Sequence, residues 1–174
     1  MMDPSTSNLS RRLFDRLYGK PRVRNVLRGE LVEQMLLDAL GAEWREGSDY
    51  ESWDLTHIPT GTRLQVKQSA ALQSWEAPNG RSSRATFSIK ARVGYCEDRQ
   101  RWSAPRERRC ELYVFGWHPL VGEDADHRRP EQWLFYVVQT ADLPPQASIS
   151  LSRLQKMADA CEYHQVAEAI GRLL

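Results

Sequence analysis

The sequence predicts an α/β domain in which a mixed β-sheet is flanked by helices. Three observations predict it. Asn25–Leu40 carries apolar residues at helical spacing, and two alternating segments, Trp53–Ile58 and Thr62–Gln68, are joined by the turn residues Pro59-Thr60-Gly61. Leu112–Trp117 and Trp133–Gln139 are dense in β-branched and aromatic residues, as buried central strands are. At 174 residues the chain has room for one domain with a core and too little for two.

Taken in order, residues 1–8 offer little to hold them and are expected to be loosely attached. Leu9–Tyr18 reads as a short helix with Leu13, Phe14 and Leu17 on one side, ended by Gly19-Lys20-Pro21. Residues 1–24 thus form a basic arm or short helix ahead of a domain over 25–174. In Asn25–Leu40 the apolar set is Val26, Leu27, Leu31, Met35, Leu36 and Leu40; Asn25 is placed to cap the start and Gly41 the end. In Thr62–Gln68, Leu64 and Val66 face one way and Gln65 and Lys67 the other. Ser69–Trp75 is expected to be a short helical segment and Thr86–Ala91 a third strand. Val121–Pro130 reads as a charged loop. Leu151–Ala160 and Tyr163–Leu173 are helical by pattern, with Ser150 or Ser152 capping the first.

A composition of 41% apolar and 27% charged residues is ordinary for a soluble globular protein, and no apolar run approaches the roughly 20 residues of a membrane span. The start, Met1-Met2-Asp3-Pro4-Ser5, lacks the build of a signal peptide, so a cytoplasmic location and no membrane partner are expected. Cys96, Cys110 and Cys161 fit neither a disulfide framework nor a CxxC metal site, which points to a reducing compartment.

The formal net charge of +1 hides segregation. Arg11, Arg12, Arg16, Lys20, Arg22, Arg24 and Arg28 stand against Asp15 alone. Arg81, Arg84, Lys90, Arg92, Arg99, Arg101, Arg106, Arg108 and Arg109 stand against Glu76, Glu97, Asp98 and Glu107. Acids gather at 43–54 and 123–131. Two basic stretches suit a phosphate backbone, although solvated surface arginines account for such runs about as often.

The chemistry gathers on the hairpin. Asp54 starts one strand, and Gln65 and Lys67 share a face near the end of the next, so the hairpin brings Asp54 toward both. Asp54 offers an anionic oxygen, Gln65 an amide oxygen, and the Val66 carbonyl a third ligand. Magnesium accepts such a sparse oxygen set and lowers the pKa of a bound water. Lys67 then either orients that water or stabilises charge growing on phosphate oxygens. Asp49 and Glu51 are rivals for the metal, and Glu30 rivals Glu33 as the acid on the preceding helix. Each piece has an ordinary reading: Gln65 and Lys67 as an exposed strand face, Glu33 as a surface ion-pair partner, and Ser69, Gln73 and Trp75 as capping or packing residues. His57, His118, His127 and His164 show no metal spacing, and Trp102, Trp117 and Trp133 read as core residues.

The order Glu33, Trp53-Asp54, Gln65-Val66-Lys67 resembles the PD-(D/E)xK nuclease superfamily, with Asp54 at the family's aspartate, Gln65-x-Lys67 at its ExK and Glu33 at the helical acid of some members. The likeness covers roughly residues 25–160. It implies a restriction-endonuclease-like fold and a magnesium- or manganese-dependent endonuclease acting on DNA, in DNA processing or defence. Lys67, Glu33, Asp54 and Gln65 would be catalytic, with Asp54, Gln65, Val66 and Glu33 on the metal. Arg28, Ser69, Gln73, Arg81, Arg84 and Lys90 would contact nucleic acid. Cutting both strands of a duplex would suit a homodimer, and in the absence of a sequence-reading motif such as a helix-turn-helix any specificity would come from loops such as Pro78–Arg84 or from a partner protein. Gln65 departs from the family's glutamate, although some branches also carry Gln. It removes one negative charge, weakens metal affinity and puts more weight on Glu33. An inactive nuclease-fold module that binds nucleic acid or protein is the competing reading.

Overall fold

A computed structural model describes residues 4–48, 51–75, 83–96 and 101–174. Two helices lead the chain, α1 (Pro4–Tyr18) and α2 (Asn25–Leu40). The strands β1 (Trp44–Glu46), β2 (Leu55–His57) and β3 (Arg63–Ala70) follow, then β4 (Thr86–Ser88), β5 (Arg92–Cys96) and β6 (Arg101–Glu107). The remainder holds β7 (Leu112–His118), β8 (Leu134–Gln139), β9 (Ser148–Ser150), α3 (Leu151–Leu154), β10 (Cys161–Glu162) and α4 (Val166–Gly171).

Six of these strands form one mixed sheet in the order β1-β2-β3-β7-β8-β10. β3 and β7 are parallel, with Leu64 opposite Leu112 and Ala70 opposite His118; the other pairs are antiparallel. A parallel pair needs a crossover. Here the segment between β3 and β7 supplies β4, which pairs with β9, and the β5–β6 hairpin. The result is a single mixed α/β domain.

Alternation along β7 explains its unbroken apolar run. Leu112 and Val114 enter a core with Val32, Met35 and Leu36 of α2, Leu64 and Val66 of β3, and Val166 and Ile170 of α4. Tyr113, Phe115 and Trp117 enter a second core on the opposite face with Phe87, Ile89, Tyr136, Ile149 and Leu154. Both faces of the central strands are covered, so the strand reads as continuous hydrophobicity rather than alternation. Trp117 and Trp133 are buried core residues, as expected. Cys110 and Cys161 are free thiols. Among the described residues no helix is long and apolar enough to cross a membrane.

Several expected elements change in context. α1 begins at Pro4, where the missing amide hydrogen costs nothing, so residues 4–8 of the segment expected to be loosely attached are helix, and residues 1–3 lie outside the described residues. Ser69–Trp75 is not helical. Ser69 and Ala70 complete the ladder with β7, and the Ala71 amide donates to the His118 carbonyl at 2.9 Å, so sheet pairing takes the backbone groups a helix would need. The third strand stops at Ser88. The helix expected over 151–160 ends at Leu154, with Ser150 capping it as expected, and the chain turns to place Cys161 beside Phe135 at the sheet edge. The helical stretch expected over 163–173 is a 3-10 turn followed by α4. Asn25 does not cap α2; its side-chain oxygen instead accepts from Arg28 and Gln68. Val26 faces solvent, whereas Gly41 does close α2, with a positive φ of 74°.

The arm is tied to the domain through His127. This buried ring accepts the Val23 amide at Nδ1 (3.1 Å), which leaves Nε2 to donate to the Leu72 carbonyl (3.0 Å). The His127 amide donates to Pro21 O, and Arg128 donates to Tyr18 O. Burial, with Arg28 and His118 nearby, pushes the His127 pKa down to about 4. Protonating Nδ1 would also break the bond from Val23. The neutral ring stabilises the fold above its ordinary pKa of 6.5, and that stability is lost as pH falls through 6.5 toward 4. The expected loss is on the order of 3 kcal/mol at full protonation. Urea midpoints at pH 7 and pH 5 read the decline, and an NMR titration in which the His127 ring protonates near 6.5 would contradict it.

Candidate active site

Asp54 lies in the bend before β2, and the bend is held on both sides. The Asp54 amide donates to Leu64 O at 3.0 Å, and the Gly47 amide donates to Asp54 O at 2.7 Å. A Cβ at Gly47 would lie 2.6 Å from the Trp53 carbonyl oxygen, so the approach of the two loops requires glycine.

The antiparallel ladder between β2 and β3 ends at the pair Leu55–Leu64. Beyond it, β3 presents its free edge to Asp54. The carboxylate oxygen Oδ2 accepts the Val66 amide at 2.6 Å, takes a short bond from Gln65 Nε2, and lies 3.9 Å from Lys67 Nζ. A strand residue's amide and carbonyl point to the same side, so the Val66 carbonyl opens toward this edge too. A half-turn of the Gln65 amide would exchange Nε2 for Oε1 and replace a donor to Asp54 by a neutral oxygen ligand.

Glu33 joins from α2. Burial, then the charges of Asp54 and Glu30, raise its pKa to about 7, opposed by Lys67. Burial lowers the Lys67 pKa, with Arg92 acting the same way and Asp54 and Glu33 opposing. These mutual effects place Glu33 within electrostatic reach of Asp54 and Lys67. Glu30 is exposed. Of the rivals to Asp54, Glu51 is taken up by Arg45 at 3.1 Å and by the Ser48 amide at 2.8 Å, and Asp49 lies outside the described residues.

The donors fit a hard cation. Asp54, the Val66 carbonyl and, after a half-turn of its amide, Gln65 offer oxygen beside Lys67, and Glu33 of α2 is electrostatically coupled to Asp54 and Lys67. Burial is the main reason that the Glu33 pKa is raised, with the charges of Asp54 and Glu30 adding to it, and a divalent ion would counter that added repulsion. Among the described residues no group of three His, Cys, Asp or Glu side chains could hold a metal, so the backbone carbonyl and the amide would have to contribute.

Beside Gln65 and Lys67 opens a narrow cleft walled by Lys90, Arg92, Arg108, Arg109 and Tyr113. Two of its cations are structurally engaged. Arg108 binds the carbonyls of Ile89 (2.8 Å), Leu143 (3.1 Å) and Pro144 (2.6 Å), and Arg109 pairs with Glu107 at 2.6 Å. Lys90 and Arg92 are exposed.

The residues expected to contact nucleic acid divide sharply. Arg28 is 1% exposed; its guanidinium donates to Asn25 (2.9 Å), Gln68 (2.5 Å) and Gln73 (2.9 Å), all neutral amide oxygens. Gln73 also donates to Ala70 O at 2.8 Å, and Ser69 is buried. These three brace the end of β3 from within. Arg84 is exposed, as is Lys90, and Arg81 lies outside the described residues. Tyr113 was missed as a site residue and Arg92 was read only as part of a basic stretch, because a cleft wall assembled from two distant strands leaves no local spacing to read.

No protein-family model matches the chain, and no curated protein matches it. Fold and site together define a mixed α/β protein with a carboxylate, an amide and a lysine at the free edge of β3 and a second carboxylate, Glu33, on α2.

Proposed function

We propose that the chain is a metal-dependent endonuclease of restriction-endonuclease-like fold that hydrolyses DNA phosphodiester bonds in DNA processing or defence. The observation that carries this reading is Asp54 at 3.9 Å from Lys67, with Gln65 and the Val66 edge on the same carboxylate and Glu33 coupled to both charges. Magnesium or manganese held by Asp54, Glu33, Gln65 and the Val66 carbonyl would supply Lewis acidity and a water of lowered pKa.

The protein's own part is positional and electrostatic. Asp54 keeps the Lys67 ammonium at the mouth of the basic cleft, where a phosphate oxygen would arrive. There Lys67 stabilises the charge that grows as the water oxygen bonds to phosphorus and the P–O bond breaks. Lys90 and Arg92 hold the flanking backbone. Burial of Glu33 and Lys67 strengthens each of these interactions relative to water. A homodimer would let two such sites address both strands.

A second reading, a binding module without cleavage, is favoured by one contact. The Gln65 amide already donates to Asp54, which satisfies that carboxylate without any cation. Supercoiled plasmid and branched or single-stranded DNA, incubated in magnesium, manganese and EDTA, separate the two. Cutting that needs the divalent ion is expected; binding without cutting on every substrate would favour the module.

Gln65→Glu tests the ligand assignment separately. A third carboxylate facing Asp54 is expected to lower the melting temperature in EDTA and to enlarge the rise on adding magnesium, with metal affinity improved about tenfold. A smaller magnesium-dependent rise than in the wild type would remove Gln65 from the ligand set.

A further inference from the structure

A second cleft, of about 850 Å³, lies between α1, the Lys20–Arg24 linker, the start of α2 and the Ser74–Trp75 turn. Its described lining includes four cations, Arg16, Lys20, Arg22 and Arg24, and no carboxylate. It also contains two apolar side chains left in water, Trp75 at 61% exposed and Val26 at 78% exposed. A tryptophan exposed inside a concave basic surface is unusual, because its ring gains most from burial. Four cations beside an open indole match the chemistry of an unpaired nucleotide strand, with phosphates on the cations and a base on the ring.

The cleft is also wired to the candidate active site. Asn25 lines it, and the Asn25 side-chain oxygen accepts from Gln68 (3.1 Å) and from the buried Arg28 (2.9 Å). Gln68 directly follows Lys67 on β3. Gln73, which also holds Arg28, lies two residues before Trp75. A rigid amide–guanidinium cluster therefore links the end of the catalytic strand to the floor of the cleft.

We infer that this cleft binds a single-stranded stretch of the substrate, with a nucleobase stacked on Trp75 and adjacent phosphates on Arg16, Lys20, Arg22 and Arg24. The substrate class that follows is DNA with an unpaired segment beside the cutting site: a flap, a fork, an overhang or a free single strand. This rests on the nuclease reading for the act of cutting but not for the binding, which needs no divalent ion.

The test is fluorescence anisotropy in EDTA with the 174-residue chain, using labelled oligomers of about 12 nucleotides, within the span of known single-strand sites. The probes are oligothymidine, oligouridine and a blunt duplex. Trp75→Ala is expected to weaken oligothymidine binding about tenfold, Trp75→Phe to recover most of it, and neither to change duplex binding more than about twofold. Arg16→Ala combined with Arg24→Ala should flatten the salt dependence of single-strand binding by about 1.4 in log–log slope. Unchanged oligothymidine affinity in Trp75→Ala, or an equal loss on the duplex, would overturn the stacking site. Tighter binding of oligouridine than of oligothymidine would overturn a DNA ligand. Failure of the two proposals is distinguishable: cleavage unaffected by Trp75→Ala removes the cleft and keeps the nuclease, whereas Trp75-dependent binding without cleavage does the reverse.

Discussion

Lys67→Ala is expected to slow DNA cleavage by about 100- to 1,000-fold while leaving DNA binding within a few-fold of the wild type. The large effect follows from position. Lys67 is held 3.9 Å from Asp54, in partly buried surroundings where its charge is poorly screened, and it is the cation at the junction between the carboxylates and the basic cleft. On the proposed reaction, removing it would take away a charge that acts as phosphate charge develops, whereas Lys90 and Arg92 would continue to hold the backbone. It also removes the influence that opposes protonation of Glu33. Single-turnover nicking of supercoiled plasmid at saturating magnesium measures the effect without interference from product release. Cleavage that persists at the wild-type rate would place the reaction elsewhere on the molecule.

Glu33→Gln should have opposite effects on stability and on activity. The Glu33 pKa of about 7 lies above its ordinary value of 4.5, so the folded protein retains a proton that the unfolded chain releases. Stability from the protonated acid is fully present below 4.5 and is lost as pH rises through 7. The interval corresponds to on the order of 3 kcal/mol, reduced to about 1–2 kcal/mol by the partial exposure of the side chain. Without metal, Glu33→Gln should match the wild type near pH 4.5 and exceed its stability by that amount at pH 8. Its stabilisation by magnesium should fall, and its cleavage rate should drop by about 100-fold, because the second carboxylate is gone. Urea unfolding at the two pH values in EDTA, repeated with magnesium, reads both effects. Parallel stability curves for the two proteins would mean that Glu33 keeps its ordinary pKa in the folded protein and is not held in a buried, charge-coupled position.

Much of this was legible along the chain because it depends on near neighbours. α2 and the two central strands β7 and β8 follow from periodicity and side-chain type. Asp54, Gln65 and Lys67 could be brought together on paper because a short hairpin leaves few ways to arrange its ends. Glu33 could be singled out only through the resemblance, since an acid on a helix has no distance to a strand in sequence terms. The nucleic-acid set was the least legible. Arg28, Ser69 and Gln73 carry polar groups suited to phosphate contact, yet burial beneath the end of β3 turns them to internal bonding.

The sequence by itself determined the mixed α/β class, the central strands and the hairpin that carries Asp54, Gln65 and Lys67, because local periodicity and turn chemistry act over a few residues. Only the tertiary structure decided that residues 69–70 extend a strand, that Val26 and Trp75 remain in water beside four cations, and that Glu33 senses Asp54 and Lys67. Backbone groups go to whichever partner the assembled sheet offers, and a side chain's ionisation depends on what burial places around it. Both are set by segments far apart in the chain.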